Sequence, residues 1–480
     1  MHTCLKLCVL LCFIFSAFQS EATADFNLVS TDSLNTTIDS ASTFLVTDQI
    51  ILIGNKITKP RILFRELTFK KGDTISLKDI AIRIKRSEEN LHNTSLFNSV
   101  KVTWIQDNDR ANFYVVVTER WYIFPVPIFE IAERNFNVWW ETKDFSRVIY
   151  GASLNWYNFR GRNEVLAATI RLGYTQRLSF YYSIPALTKG QKSGLTFSMA
   201  YARNHQTAIS TQNNALLYYK DSDKFSKKEI GGSIVYSYRP GLNITHNFEV
   251  SFRHAEVEDT VIKLNPEYFT KTNEESFGTL RYFLKIEHRD LAVYPMKGNY
   301  FDFEFAKTGL GFLKDNVDLT YSVIHYKQFW PLSNRFHAAA GFSGKYSFNT
   351  KTPYYFTKGL GYSRDFIRGY EYYVMDGQHF ALIKTGIKYT LLKKREVYAP
   401  FIPLNKFATI PYAFYLNLFS DAGYVSDEQF NETNFLNNKW QYSYGAGIDF
   451  VTYYDMIFRF EYSINKLGES GFFLHFTSPI

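Results

Sequence analysis

Few residues in this chain are arranged for chemistry. The most telling are a hydrophobic–Arg–Gly–aromatic phrase, Phe366-Ile367-Arg368-Gly369-Tyr370, and a second phrase, Phe419-Ser420-Asp421-Ala422-Gly423, whose Asp follows the Arg by 53 positions. A guanidinium presents a planar fork that holds a carboxylate through two parallel hydrogen bonds and stays charged when partly desolvated. The chemistry on offer is ion pairing, not bond breaking. By themselves the two phrases leave a plainer arrangement open, with Arg368 in a solvated turn and Asp421 facing water. No H-E-x-x-H, G-x-S-x-G or G-x-x-x-x-G-K motif occurs, and the ten His are scattered with no pair at metal-ligand spacing. The sequence therefore nominates no catalytic residue, metal ligand or cofactor, and no enzyme activity is expected.

Long alternating strands must position these phrases. From Pro125 to the C-terminus the pattern is period two, broken by turn residues. Phe301, Phe303 and Phe305 alternate with Asp302 and Glu304; Met456, Phe458, Phe460, Tyr462 and Ile464 share a face opposite Arg459, Glu461 and Ser463. On the same pleat Asp421 falls with Asn417, while Phe414, Leu416 and Leu418 point the other way. The runs are about 9–11 residues long, against roughly 5–6 for strands of soluble sheets. Charges on the inner face, strand after strand, need a wet lumen, and a closed barrel satisfies every backbone hydrogen bond in lipid. About sixteen strands are expected, an even number that returns both ends to the periplasm. The last six are Arg335–Phe348, Phe380–Leu392, Tyr412–Val425, Gln441–Val451, Met456–Ile464 and Phe472–Ser478. Thr207–Lys228 reads either as a long hairpin tip or as a loop.

Composition agrees. Aromatic residues make up 18% of the 480, and mean hydropathy is −0.22, too polar for a helical membrane protein. The net charge of +8 is no footprint of a nucleic-acid binder. All three cysteines (Cys4, Cys8, Cys12) fall in the first 12 residues, ahead of an Ala22-Thr23-Ala24 site. Residues 1–24 therefore read as a signal peptide, leaving an exported chain without thiols.

A polar leader, 25–44, precedes a small α+β domain at 45–122. A strand at Asp48–Ile53 is followed by a helix with Thr58 and Pro60 at its start. Ser76 then caps a second helix striped by Leu77, Ile80, Ile84 and Leu91, and two strands, Ser99–Ile105 and Asn112–Thr118, complete the β-α-α-β-β order. Leu96 and Phe97 plug the helix pair, with Val100 and Val102 on the same core face.

This order resembles a POTRA domain, carried by Leu96-Phe97-Asn98-Ser99-Val100-Lys101-Val102 and Val115-Val116-Val117-Thr118-Glu119. The Arg-Gly-aromatic phrase and the later Asp resemble the BamA/TamA superfamily of outer-membrane assembly pores, also called bacterial surface antigens. The resemblance implies a transmembrane antiparallel barrel at 123–480 whose sixth extracellular loop folds inward. Arg368 would be the loop anchor, Gly369 the tight tip and Tyr370 a packing neighbour. Asp421, on strand thirteen, would receive the guanidinium, with Gly445 and Gly447 leaving room for the tip. Phe472, Leu474 and Phe476 would form the C-terminal assembly stripe, although the chain ends on Ile480 where an aromatic residue is common. A single POTRA unit is also fewer than assembly pores often carry.

The implied partners are unfolded or secreted envelope proteins, periplasmic chaperones, accessory lipoproteins and the lipid bilayer, with no nucleic acid. The implied location is the outer membrane of a Gram-negative bacterium. The implied function is insertion or translocation of envelope proteins, by strand-edge capture at the POTRA domain and lateral opening of the barrel seam. The alternatives are a two-partner-type secretion pore for one dedicated protein and a structural or passive channel.

Overall fold

The computed structural model describes residues 44–131, 140–141, 143, 148–221, 223–270, 272–311, 313, 316–349, 351–362, 364–400, 402, 405–453, 456–477 and 480. The signal peptide, its cysteines and nearly all of the leader lie outside these. The chain divides into two compact units. One ends at Trp121 and takes in Val397–Ile410; the other comprises Tyr122–Glu396 and Pro411–Ile480.

The N-terminal unit is a four-stranded sheet in the order β2-β1-β4-β3, from β1 (Phe44–Ile53), β2 (Thr74–Ser76), β3 (Phe97–Asp107) and β4 (Arg110–Glu119). Helices Pro60–Glu66 and Leu77–Asn93 supply Leu63, Ile80 and Leu91 to a core shared with Phe97, Val102, Phe113 and Val115. Phe69 stacks on Phe113 with centroids 4.1 Å apart. Leu96 is buried and Val100 half-buried, as a strand leaving a bulge between Phe97 and Ser99 allows.

Three local readings change. The expected β-α-α-β-β order gains the three-residue strand β2 between the helices, too short to show alternation. The cap position of the first helix is Lys59, not Thr58, and Ser76 sits at the cap position of the second without a side-chain cap bond. Instead Glu119, at the end of β4, accepts from the backbone N–H groups of Ile57 (3.0 Å) and Thr58 (2.6 Å).

The second unit is a sixteen-stranded antiparallel sheet. Its strands are β5 (Ile123–Ile131), β6 (Val148–Phe159), β7 (Glu164–Gly173), β8 (Thr175–Ile184), β9 (Ser193–Asn204), β12 (Lys227–Tyr238), β13 (Ile244–Val257), β14 (Glu274–Glu287), β15 (Gly298–Thr308), β16 (Leu319–Pro331), β17 (Phe336–Ser347), β18 (His379–Tyr398), β19 (Thr409–Ser426), β20 (Gln441–Thr452), β21 (Met456–Asn465) and β22 (Ser470–His475). Thr207–Lys228 resolves as a hairpin, β10 (Gln206–Gln212) with β11 (Ala215–Lys220), before the chain re-enters the sheet at β12.

The alternation sorts side chains by solvent. Leu418 and Met199 are 62% exposed on the outer face, while Asp302, Asp449, Arg459 and Glu461 are buried on the inner face. No helix among the described residues is long and apolar enough to cross a membrane.

The terminal strand departs from expectation. It stops at His475 rather than Ser478, and pairs with β21 only from Arg459↔His475 to Ile464↔Ser470. Beyond it the chain turns inward: Arg459 Nη1 donates to the Thr477 carbonyl (3.0 Å), and Ile480 packs against Phe329 and Ala339. Of the expected stripe, Phe472 is 83% exposed and Leu474 half-buried, both in β22, but Phe476 lies after the strand, its ring 5.9 Å from Phe458.

Candidate functional site: a loop docked in the lumen

The connection between β17 and β18 carries the Arg-Gly-aromatic phrase, and β19, the thirteenth strand of the sheet, carries Asp421. The two meet. Arg368 Nε and Nη2 donate to the two carboxylate oxygens of Asp421 at 2.8 and 2.5 Å, and the Arg368 backbone N–H adds a third bond at 3.1 Å. Nη2 also reaches the Thr385 carbonyl (3.2 Å), and Nη1 lies 3.5 Å from Glu461 on β21. The guanidinium rests 3.9 Å above the centroid of Phe419. Both ionic side chains are about 1% exposed or less, so each offsets the other's loss of water.

The tip fits because of small residues in the wall, though not as the sequence suggested. Gly369 has φ +85°, and a Cβ there would lie 3.1 Å from Ser463 Oγ and 3.4 Å from Ser443 Cβ. The tip therefore sits over two serines. A Cβ on Gly445 would come within 2.6 Å of the Phe419 ring, and one on Gly447 within 2.7 Å of Glu461 Cγ. Those glycines make room for the platform and counter-charge of Arg368, not for the loop backbone. Gly423 does serve the loop directly, since a Cβ there would strike Ile367 Cδ1 at 2.6 Å.

Ile367 and Tyr370 are buried with Leu360 and Met375 of the loop against Phe380, Leu382 and Val425 of the wall. Tyr370 OH donates to Gln441 Oε1 (3.1 Å) and accepts from the Lys466 N–H (3.3 Å). Phe366 lies outside that core: its ring stacks on His475 at 5.3 Å and carries Lys384 Nζ 4.1 Å from its centroid.

Sequence reasoning missed three attachments. Asn465 Nδ2 donates to the Gly369 carbonyl (3.0 Å), and His475 Nε2 lies 3.1 Å from Glu371 Oε1, so the tip is tied to the last two strands. His325 on β16 bridges Asp302 on β15 (Nδ1–Oδ1 2.6 Å) and Asp365 of the loop (Nε2–Oδ1 3.2 Å). The third is a clasp at the mouth. Asn214, at the tip of the β10–β11 hairpin with φ +59° and no exposed surface, donates from its backbone to Asn434 Oδ1 (2.9 Å). Its side-chain amide donates to the Val374 carbonyl (3.1 Å) and Asn437 Oδ1 (3.0 Å), and its Oδ1 accepts from the Leu436 N–H (2.9 Å). Inward parity was the one local signal that could have found Asp302 and His325; nothing local distinguished Asn214 from any turn asparagine. Beside the clasp, burial pushes Asp376 up to about 6 despite hydrogen bonds from Thr211 and Tyr362, with Asp427 nearby adding to the rise.

A small α+β unit, a sixteen-stranded membrane barrel and a loop pinned inside by Arg–Asp pairing define the class: a POTRA-bearing outer-membrane pore for inserting or translocating proteins. Residues 158–466 match the Omp85 superfamily domain, and residues 46–120 match the POTRA family described as a surface antigen variable number repeat. The chain belongs to the Omp85 superfamily. Among solved structures, BamA from Haemophilus ducreyi lacking POTRA domains 1–3 is similar with a TM-score of 0.50 and 14% identity, over 90% of this chain and 83% of that one. CdiB from Escherichia coli is similar with a TM-score of 0.55 and 10% identity, over 90% and 75%. No curated protein matches this sequence. Membership of this family implies an outer-membrane protein with its POTRA domain in the periplasm, one that handles client proteins of the envelope.

Proposed function

We propose that this protein inserts envelope proteins into the outer membrane of a Gram-negative bacterium, holding a client strand at the POTRA sheet edge and admitting it through the seam between β5 and β22. The observation that carries this reading is the weakness of that seam. Strands β5 and β22 are the two ends of the sheet order, and β22, with six residues, is the shortest of the sixteen. Strand β5 contains Pro125 and Pro127, each lacking a ladder donor. The POTRA sheet in turn offers the eleven-residue β3 as an edge, and strand addition there needs only backbone partners. The reaction is non-catalytic and needs no cofactor; periplasmic chaperones and accessory lipoproteins would deliver the client.

The test is depletion followed by a census of outer-membrane proteins, in parallel with cysteine pairs engineered across β5 and β22. Insertion predicts broad loss on depletion and loss of activity once the seam is cross-linked. Full activity after verified cross-linking would exclude lateral opening. Disappearance of one exported species, with others intact, would favour the two-partner-type secretion pore, and no change would favour a passive channel.

A further inference from the structure

The docked loop fills the lumen beside β18–β22. On the other side, between the strands from β8 to β17 and the loop, a chamber of about 1140 Å³ remains. Seven Lys and Arg side chains and five Asp and Glu side chains line it, and the surplus understates the asymmetry. Every carboxylate is already held. Glu229 pairs with Lys227, Glu249 and Glu304 share Arg281, Asp365 meets His325, and Asp376 accepts from Thr211 and Tyr362.

Four cations have no such partner. Arg177, Arg253, Lys345 and Lys358 make no ion pair with a carboxylate among the described residues. Arg253 donates to Tyr355 OH (3.3 Å), and Lys345 donates to the Lys358 carbonyl (2.7 Å) and lies over the Tyr321 ring. Tyrosine rings, among them Tyr321, Tyr355 and Tyr362, supply flat surface and hydroxyls around them. A concave wall with a surplus of one sign focuses its field on whatever enters.

We propose that this chamber binds an extended, acidic segment of a client polypeptide, its carboxylates meeting Arg177, Arg253, Lys345 and Lys358. The inference rests on the pore reading above and adds to it which segments the lumen accepts. Acidic segments gain ion pairs that the chamber lacks when empty, whereas basic ones would displace pairs already formed.

The experiment uses the full-length protein in detergent, with Ser179→Cys as a reporter on the chamber wall. Fluorescence anisotropy measures labelled polyglutamate, polyserine and polylysine peptides, and maleimide labelling of residue 179 reports whether a bound peptide covers the site. Polyglutamate is expected to bind about tenfold more tightly than polylysine, to weaken as salt is raised, and to protect residue 179. The quadruple variant R177Q/R253Q/K345Q/K358Q should abolish the preference.

Equal or tighter binding of polylysine, or polyglutamate binding that leaves residue 179 fully reactive, would overturn the proposal. So would a folded quadruple variant with unchanged preference. If that variant fails to fold, the peptide ranking, salt response and protection in the otherwise wild-type chain decide. The depletion census tests the pore reading independently of peptide charge.

Discussion

The two sides of the lumen are built on the same alternation and put charge to opposite uses. Beside β18–β22, Arg368 and Arg459 are matched by Asp421 and Glu461 within ion-pair distance, all close to fully buried, and glycines let the groups close up. Beside β8–β17 the wall keeps its space, and several cations stand without a carboxylate. On the first side Arg368 and Arg459 can be buried because Asp421 and Glu461 face them, while Lys384 and Lys388 of β18 lie over the Phe366 and Tyr294 rings, since an uncompensated buried ion is far costlier than a solvated one. The second side can leave cations unmatched because Arg177, Arg253 and Lys358 are exposed and Lys345 partly so. The lesson is that one barrel wall supports a fixed joint on one side and a receptive surface on the other.

Breaking the joint should have the largest effect. Asp421→Lys removes the acceptor and adds a repelling charge, which should cost about 3–5 kcal/mol. Assembled, heat-modifiable barrel should fall and loop cleavage by protease should rise. Adding Arg368→Asp should restore only part of this, because Glu461, 3.5 Å from the Arg368 guanidinium, would repel the new carboxylate. A loop that stays protected in both single variants would show that the ion pair does not hold it.

The clasp at the mouth bears on the open side. Asn214→Ala deletes its side-chain bonds, each orphaned buried group costing about 1–3 kcal/mol, and places alanine at a positive φ. Single-channel recordings should then show larger or more frequent openings, with the docked tip still protected. Unchanged recordings would mean that the hairpin does not obstruct the mouth.

The smallest expected effect is on pH. The Asp376 carboxyl is raised from 3.8 to about 6, so the clasped state binds its proton more tightly than the released state does. That contribution is fully present below the ordinary carboxylate pKa and is lost as pH rises through about 6. Hydrogen exchange around Asn214 and Val374 should therefore be slower at pH 5 than at pH 7.5, beyond the intrinsic change in exchange rate. Asp376→Asn should remove the difference; if the difference persists, another group controls it.

Much of this site was readable along the chain. The parity of Asp421 with Asn417 gave its inward direction, and the two phrases gave Arg368 and Asp421 as partners once the family resemblance was admitted. Gly445 and Gly447 were rightly on the inner face, but their purpose was misread because the occupant of each gap comes from a neighbouring strand. The terminal strand was drawn too long for a related reason: Phe476 continues the alternation of Phe472 and Leu474, yet the chain leaves the sheet after His475.

What the sequence determined by itself was local in origin: period-two patterning, hence strands, an apolar outer face and a charged inner one. It also determined the mouth hairpin as one of two local choices. Only the tertiary structure decided which inward groups meet. Asn214 and Asn437 are 223 positions apart, and His475 and Glu371 are 104 apart. Such contacts depend on how sixteen strands stagger as the sheet curves, and alternation repeats too uniformly to encode that stagger.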